Sequence, residues 1–410
     1  MISDSSTNQN LPIANPVEIN FNLASIWLGK GQIERAIAGY RKVLELQPDH
    51  LQAAIHLSHL EERRKWSKVV SSDALIDNPD GKLNLNGQKL IVVHRCGWSF
   101  ALHALKPLHN SQGILFDGFL ESTFFWQEQR TGKIQEPYTQ PWVGFLHNPP
   151  KMPTSLFSHG SPEFLFKKDN WQKSLESCVG LFTLSEYYAQ WLRKQTDCPV
   201  SSLIYPTEIP ELQFNFERFV ERSDKKIIQL GWWLRRLTAI YQLPIARENA
   251  LGYEKIKLNS AFAPDSDDQL QQLTERQIEL ENIRFDSLFL ENTRDVTHVS
   301  NQEYDRLLSE NIGFIHLYNA SANTAVIECI ARATPLLVNP LPPVVEYLGE
   351  EYPFYFHTLE EAAEKAMDLE LIRQTHDYLN HCETRSKISA EYFLESFRNS
   401  EVYQRVMELY

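Results

Sequence analysis

The stretch Asn311 to Glu346, NIGFIHLYNASANTAVIECIARATPLLVNPLPPVVE, constrains the fold more than any other part of the chain. Gly313 to Tyr318 is a compact apolar run of strand length. Asn319 to Thr324 has turn and N-cap chemistry, and Thr324 to Ala333 has helical apolar spacing. A second apolar strand and a proline-rich exit follow, so the stretch reads as a βαβ unit of an open α/β sheet. In such a unit the helix N-terminus points its free amides out of the carboxyl edge of the sheet, where a phosphate can sit. Ser321, Ala322, Asn323 and Thr324 are therefore candidate phosphate-facing positions. Glu328, one turn into the helix, lies within reach of the same ligand.

A second segment points to the same chemistry. KKIIQLGWWLRR reads as a strand over Lys226 to Leu230 that ends at Gly231, where the missing Cβ permits close backbone approach to a ligand. Arg235 and Arg236 follow at a distance suited to a pyrophosphate, and guanidinium offers a planar fork of donors for phosphate oxygens. Ion pairing or solvation is the competing role. It fits Arg236 better than Arg235, although the sequence alone does not separate the two.

Upstream, WVGFLHNPP places His147 directly after an apolar strand, with Pro149 and Pro150 preventing a helix. That carboxyl edge is where open α/β sheets bind ligands. A lone histidine is more often structural, and position is what singles this one out. Arg95-Cys96-Gly97-Trp98 turns a short strand, Lys89 to His94, into a helical stretch, so Gly97 and Trp98 are weaker candidates and Gly97 serves equally as a plain turn residue. Ser185 in GLFTLSEYY reads mainly as a helix cap. Further strands are expected at Gly113 to Asp117, Trp142 to His147, Gly180 to Leu184 and Ser202 to Tyr205.

The order of these parts resembles the nucleotide-sugar site of GT-B glycosyltransferases, above all the large retaining group with a Glu-x7-Glu pattern. The matching pieces are GFIHLY, the small polar turn, the helix bearing Glu328, and ATPLLVNPLPPVVEYLG, joined to GWWLRR about ninety residues upstream. One piece departs: eight positions before Glu328 stands Ala320, so the first Glu of the pair is absent. The resemblance spans Lys89 to Leu348 and implies two Rossmann-like domains facing a cleft, an acceptor domain over residues 83–206 and a nucleotide-sugar domain over 224–348. It further implies C-terminal helices over 349–410 that cross back to the first domain. A nucleotide-diphosphate sugar would be the donor, with no other cofactor and no metal. Its diphosphate would be held by Gly231, Arg235 or Arg236 and the turn before Glu328. His147 would contact the transferred sugar. Retention of stereochemistry is what the resemblance favours, while the residues leave it open.

Composition limits the alternatives. The net charge of −13 argues against nucleic acid and anionic membrane as general partners, because both require a basic surface. Five cysteines form no CxxC pair, which is a reducing-compartment pattern without a disulfide frame or zinc site. The acidic DSDD at 265–268 lacks the context of a cation loop and reads as a solvated insertion. With no run of 18 apolar residues and no basic-then-apolar N-terminus, the expectation is a soluble cytoplasmic protein.

Before the first strand, residues 1–16 are polar and aperiodic, an arm. Residues 17–77 begin with FNLASIWLGKGQIERAIAGYRKVLELQPDH, which matches a tetratricopeptide repeat at Leu23, Gly31, Ala36, Tyr40, Leu46 and Pro48. Leu51 to Leu75 is a decayed second copy. This short all-α region is expected as a helical cap, or as a docking surface for a protein partner or acceptor. Residues 78–87, NPDGKLNLNG, read as a linker. The acceptor is not specified: protein, glycan and lipid-linked acceptors all fit. The rival to an active glycosyltransferase is a catalytically inactive scaffold of the same fold that recruits a partner through the helical region.

Overall fold

The computed structural model describes residues 15–29, 32–54, 56–57, 60–61, 75–88, 97–157, 160–258, 266–284, 288–296 and 299–410. Two compact units are present, residues 1–72 and 73–410, and each is described by itself.

In the first unit, helices α1 (Pro16–Gly29) and α2 (Ile33–Leu46) form a hairpin. Two helices pack as the apolar spacing implied, but the closest approach falls at Gly39, where a Cβ would stand 2.7 Å from that of Ala24. Ala36, Tyr40 and Val43 are fully buried in this small core, and the Tyr40 hydroxyl lies 3.0 Å from Ser25 Oγ. The arm, Gly31 and most of the second repeat copy lie outside the described residues.

The second unit contains two five-stranded, all-parallel sheets. The first has the order β1 (Leu83–Asn84), β2 (Ile114–Asp117), β3 (Trp142–Phe145), β4 (Cys178–Thr183), β5 (Val200–Ser202). Strand β1 corrects the linker reading of 78–87. Leu83 and Leu85 are buried, Leu83 pairs with Ile114, and the LNLN alternation is that of a strand with one buried face. The strand expected at Lys89 to His94 lies outside the described residues. Helix α3 (Trp98–Leu105) follows it, and helix α4 (Glu186–Leu192) follows β4, capped as expected by Ser185 through the Tyr188 amide at 3.4 Å.

The second sheet runs β10 (Leu336–Val338), β9 (Ile312–Ile315), β6 (Lys226–Leu230), β7 (Glu254–Leu258), β8 (Thr293–Val296). Its helices include α5 (Ser266–Glu281), α6 (Asn301–Glu310), α7 (Thr324–Arg332) and α8 (Pro342–Leu348). Part of the DSDD stretch opens α5, and residue 265 lies outside the described residues. The proline-rich exit also differs from expectation, because PPVVEYL forms α8. Two prolines there occupy the first helical turn, where their missing amides have no partner to lose. Past α8 a single bridge joins Val338 to Tyr355.

Every strand on this sheet is buried along its length except β8 and the first residues of β6 and β7, as parallel strands covered on both faces must be. Helices α9 (Ala390–Asn399) and α10 (Glu401–Met407) return to the first sheet. Phe397 stacks on Phe182 at 4.5 Å, and the Val402 amide donates to Ser201 Oγ at 3.3 Å. Two Rossmann-like sheets in one unit constitute the α/β GT-B architecture that the resemblance implied.

Candidate functional site

In the second sheet, β6 is flanked by β7 on one side and β9 on the other, so the chain reverses its winding between β6 and β9. Crevices form at such switch points, outside the carboxyl ends of the strands. The turns after β6 and β9 meet there.

Gly231 adopts φ 71°, a left-handed conformation that favours glycine, and Leu234 repeats it at φ 57°. The double reversal folds Arg235 back under the strand end. Its Nε donates to the Leu230 carbonyl at 2.8 Å, Nη1 to the Trp233 carbonyl, and Nη2 to Asn323 Oδ1 at 3.1 Å. A Cβ on Gly231 would stand 3.2 Å from the guanidinium carbon. Asn323 is the N-cap of α7, accepting from the amides of Ala325 and Val326 at 3.0 and 3.4 Å. Gly231, Arg235 and Asn323 thus form one contiguous group. Ser321 is buried beside it with Oγ unpartnered among the described residues, Ala322 is half-buried, and Thr324 is exposed.

Arg235 is buried, and its three partners are all uncharged oxygens. Burial pulls its pKa down to about 10, so at neutral pH the guanidinium remains a cation. A buried cation that meets no carboxylate among the described residues, set beside a helix N-terminus, is an arrangement that an anion completes.

Arg236 behaves differently. It ion-pairs with Glu281 of α5 and lies 4.4 Å over the Tyr318 ring, whose hydroxyl also donates to Glu281. Glu328 is committed as well: Arg332, four residues on, pairs with it and with Asp305 of α6, while Thr207 Oγ1 stands 3.4 Å from Glu328 Oε1. Arg332 is fully buried and Glu328 nearly so. Ala320, where the absent Glu would stand, is buried.

Across the crevice lies His147. Its Nε2 is 2.8 Å from the Gly118 carbonyl, which places the ring proton on Nε2 and leaves Nδ1 as an acceptor. Burial pulls its pKa down to about 4, against a smaller opposing effect of that hydrogen bond, so the ring is neutral. Trp98 meets the ring edge-on at 4.6 Å and Phe119 covers it at 4.1 Å. Gly97, at φ 120°, opens α3 and carries Trp98 to that position.

Beneath His147 sits Glu121, fully buried, which the sequence reading passed over. Its Oε1 accepts the amides of His147 and Asn148 at 2.7 and 2.6 Å, and Oε2 has no partner among the described residues. Desolvation raises this carboxyl to about 8 despite those hydrogen bonds. Its signal was available: a single carboxylate amid GFLESTFFW has no solvated face to occupy.

The two halves touch at defined points. Asn319 Nδ2 donates to the Pro150 carbonyl at 2.6 Å, and Met152 and Phe157 pack against Leu234. Glu346 of α8 accepts the Glu186 and Tyr187 amides at 2.6 and 3.1 Å, so it caps α4 of the opposite half. None of these links was legible in sequence.

No family model matches the chain, and no curated protein matches it as a relative. Solved structures of similar backbone course include trehalose-6-phosphate synthase OtsA, at 14% identity over 74% of this chain and 75% of that one, TM-score 0.47. Another is an α,α-trehalose-phosphate synthase (UDP-forming) from Burkholderia vietnamiensis, at 12% over 75% and 76%, TM-score 0.49. A point mutant of S. aureus TarM, solved in complex with fondaparinux, α-GlcNAc-glycerol and UDP, is similar at 12% over 75% of this chain and 58% of that one, TM-score 0.46. Among the described residues no group of His, Cys, Asp or Glu is arranged to hold a metal ion, and no helix is long and apolar enough to cross a membrane.

Proposed function

We propose that the chain is a GT-B glycosyltransferase that transfers a sugar from a nucleoside-diphosphate donor to an acceptor hydroxyl, without a metal and with retention. The observation that carries this reading is Arg235: a buried guanidinium whose partners among the described residues are neutral, bonded to the N-cap of α7 at a sheet switch point. Negative charge builds on the leaving diphosphate in the transition state, and a preorganised cation with a helix dipole stabilises it there. Neutral His147 offers Nδ1 to a sugar hydroxyl and, against Trp98 and Phe119, an apolar wall. The donor-binding set is Gly231, Arg235 and the turn Ser321 to Thr324, with Arg236 and Glu328 joining only if ligand draws them from Glu281 and Arg332. The acceptor is a protein, glycan or lipid-linked hydroxyl, and the N-terminal helices are its recruitment surface. Cytoplasmic residence belongs to the same reading.

One observation favours the inactive scaffold instead. Glu328, expected within reach of the donor, is taken up by Arg332, which Asp305 also holds. Calorimetry against UDP, GDP, ADP and CMP and their sugars separates the two. Binding of one diphosphate, weakened by Arg235→Ala, together with release of that nucleotide from its sugar in the presence of acceptor extracts, supports the transferase. Binding without turnover supports the scaffold, and no binding at millimolar nucleotide defeats both the donor site and the transferase.

A further inference from the structure

Cys178 opens β4 and Cys198 stands two residues before β5, at the sheet edge opposite the crevice. Cys198 Sγ lies 3.6 Å from the Cys178 carbonyl oxygen and 3.9 Å from that of Leu175. The Cys198 sulfur therefore lies against residue 178, and both cysteines are half-buried. Strands β4 and β5 are paired parallel neighbours from Leu181 and Val200 onward, so the segments entering them run side by side.

We infer that Cys178 and Cys198 form a peroxide-sensitive dithiol, with Cys198 the attacking and Cys178 the resolving sulfur. The surroundings assign those roles. The Cys178 thiol, Thr196 and the Arg405 guanidinium favour a Cys198 thiolate, against Asp197 and desolvation, and bring its pKa to about 7. Burial and the Cys198 thiolate push Cys178 well above the ordinary thiol range, so it keeps its proton. The Cys198 thiolate attacks one oxygen of a hydroperoxide. The O–O bond breaks, the alkoxide or hydroxide leaves and takes up a proton, and sulfur becomes a sulfenic acid. Cys178 sulfur then attacks that sulfenic sulfur, and its proton leaves with the expelled hydroxide as water. Two thiols are oxidised by two electrons and one peroxide is reduced. The bond joins β4 to the segment entering β5, where α10 docks through Val402 against Gly180 and Ser201. This inference is independent of the transferase reading.

The test uses the full chain with stoichiometric hydrogen peroxide at pH 7, followed by non-reducing peptide mapping and thiol counting. Expected are a Cys178–Cys198 linkage reversed by dithiothreitol, reaction about tenfold faster than at Cys382, and a melting temperature raised by roughly 5 °C in the oxidised form. In Cys178→Ser, dimedone should trap a sulfenic acid at Cys198 that wild type does not accumulate. Oxidation at Cys382 ahead of Cys198, or equal dimedone labelling of wild type and Cys178→Ser, overturns the proposal. Should the serine destabilise the strand, a Cys178→Ala variant gives the same readout when assayed at about pH 9, where Cys198 ionises without its thiol neighbour.

Discussion

The two walls of the crevice solve opposite electrostatic problems. On the β3 side two buried groups are held neutral: His147 is stripped of its proton by burial, and Glu121 retains one into the neutral range. On the β6–β9 side charge is kept. Arg235 is a cation with no acid among the described residues, while Arg332 at the end of α7 pairs with two carboxylates. A wall of aromatic and neutral groups suits a sugar ring, and a wall with an uncompensated cation suits a diphosphate. The contrast also shows what buried charge costs. Arg332 is compensated inside the fold, whereas Arg235 waits for compensation from outside.

The contrast breaks most decisively at Arg332. Replacing it with Ala leaves the buried Glu328 and Asp305 without their shared cation, with an expected loss of about 3–5 kcal/mol in denaturant unfolding. A loss under about 1 kcal/mol would mean that the trio is hydrated, and the difference between Arg332 and Arg235 would disappear.

Next in size is the pH response of Glu121. Its folded pKa lies above its unfolded value, so its contribution to stability is complete below about pH 4.5 and is lost as pH rises towards about 8. Glu121→Gln should remove a decline on the order of 3 kcal/mol between pH 5 and 8.5. His147 works with the opposite sign: its depressed pKa withdraws stability as pH falls from about 6.5 to about 4. An unchanged pH profile in Glu121→Gln would show that the β3 wall is not held neutral through this carboxyl.

Arg235→Ala should weaken nucleoside-diphosphate affinity by tenfold to a hundredfold, the ~1.5–3 kcal/mol of a charged hydrogen bond. Arg236→Ala should change it by no more than about threefold, because Glu281 already holds that side chain. Equal losses in calorimetry would erase the distinction between the two arginines. The smallest effect is expected at Asn319, whose Ala variant loses the bond to Pro150 and about 1 kcal/mol of stability, measured by thermal unfolding.

Much of this was legible beforehand. The βαβ unit around α7 was readable because apolar runs of strand length alternate with a 3.6-residue pattern, and both are local properties. Capping chemistry within Asn319 to Thr324 and a close-approach glycine at 231 followed from residue chemistry alone, while the structure supplied Asn323 as the cap and the positive φ of Gly231. Arg332 was legible in principle, since i and i+4 share a helix face, yet helix periodicity does not reveal that the face is buried. The linker reading of NPDGKLNLNG failed because its turn residues outweighed two leucines whose burial depends on β2, a partner distant in sequence.

By itself the sequence determined the strand-turn-helix-strand order around α7, the turn that opens that helix and the candidate residues His147, Arg235 and Glu328. These follow from backbone preferences and from periodicity within a few residues. Only the tertiary structure decided which charges are spent. Glu281 reaches Arg236 across 45 residues, Asp305 reaches Arg332 across 27, and Glu346 reaches the α4 amides across 160. Whether a buried charge is compensated depends on what desolvates it and what lies beside it, and both are set by packing between distant segments rather than by neighbours along the chain.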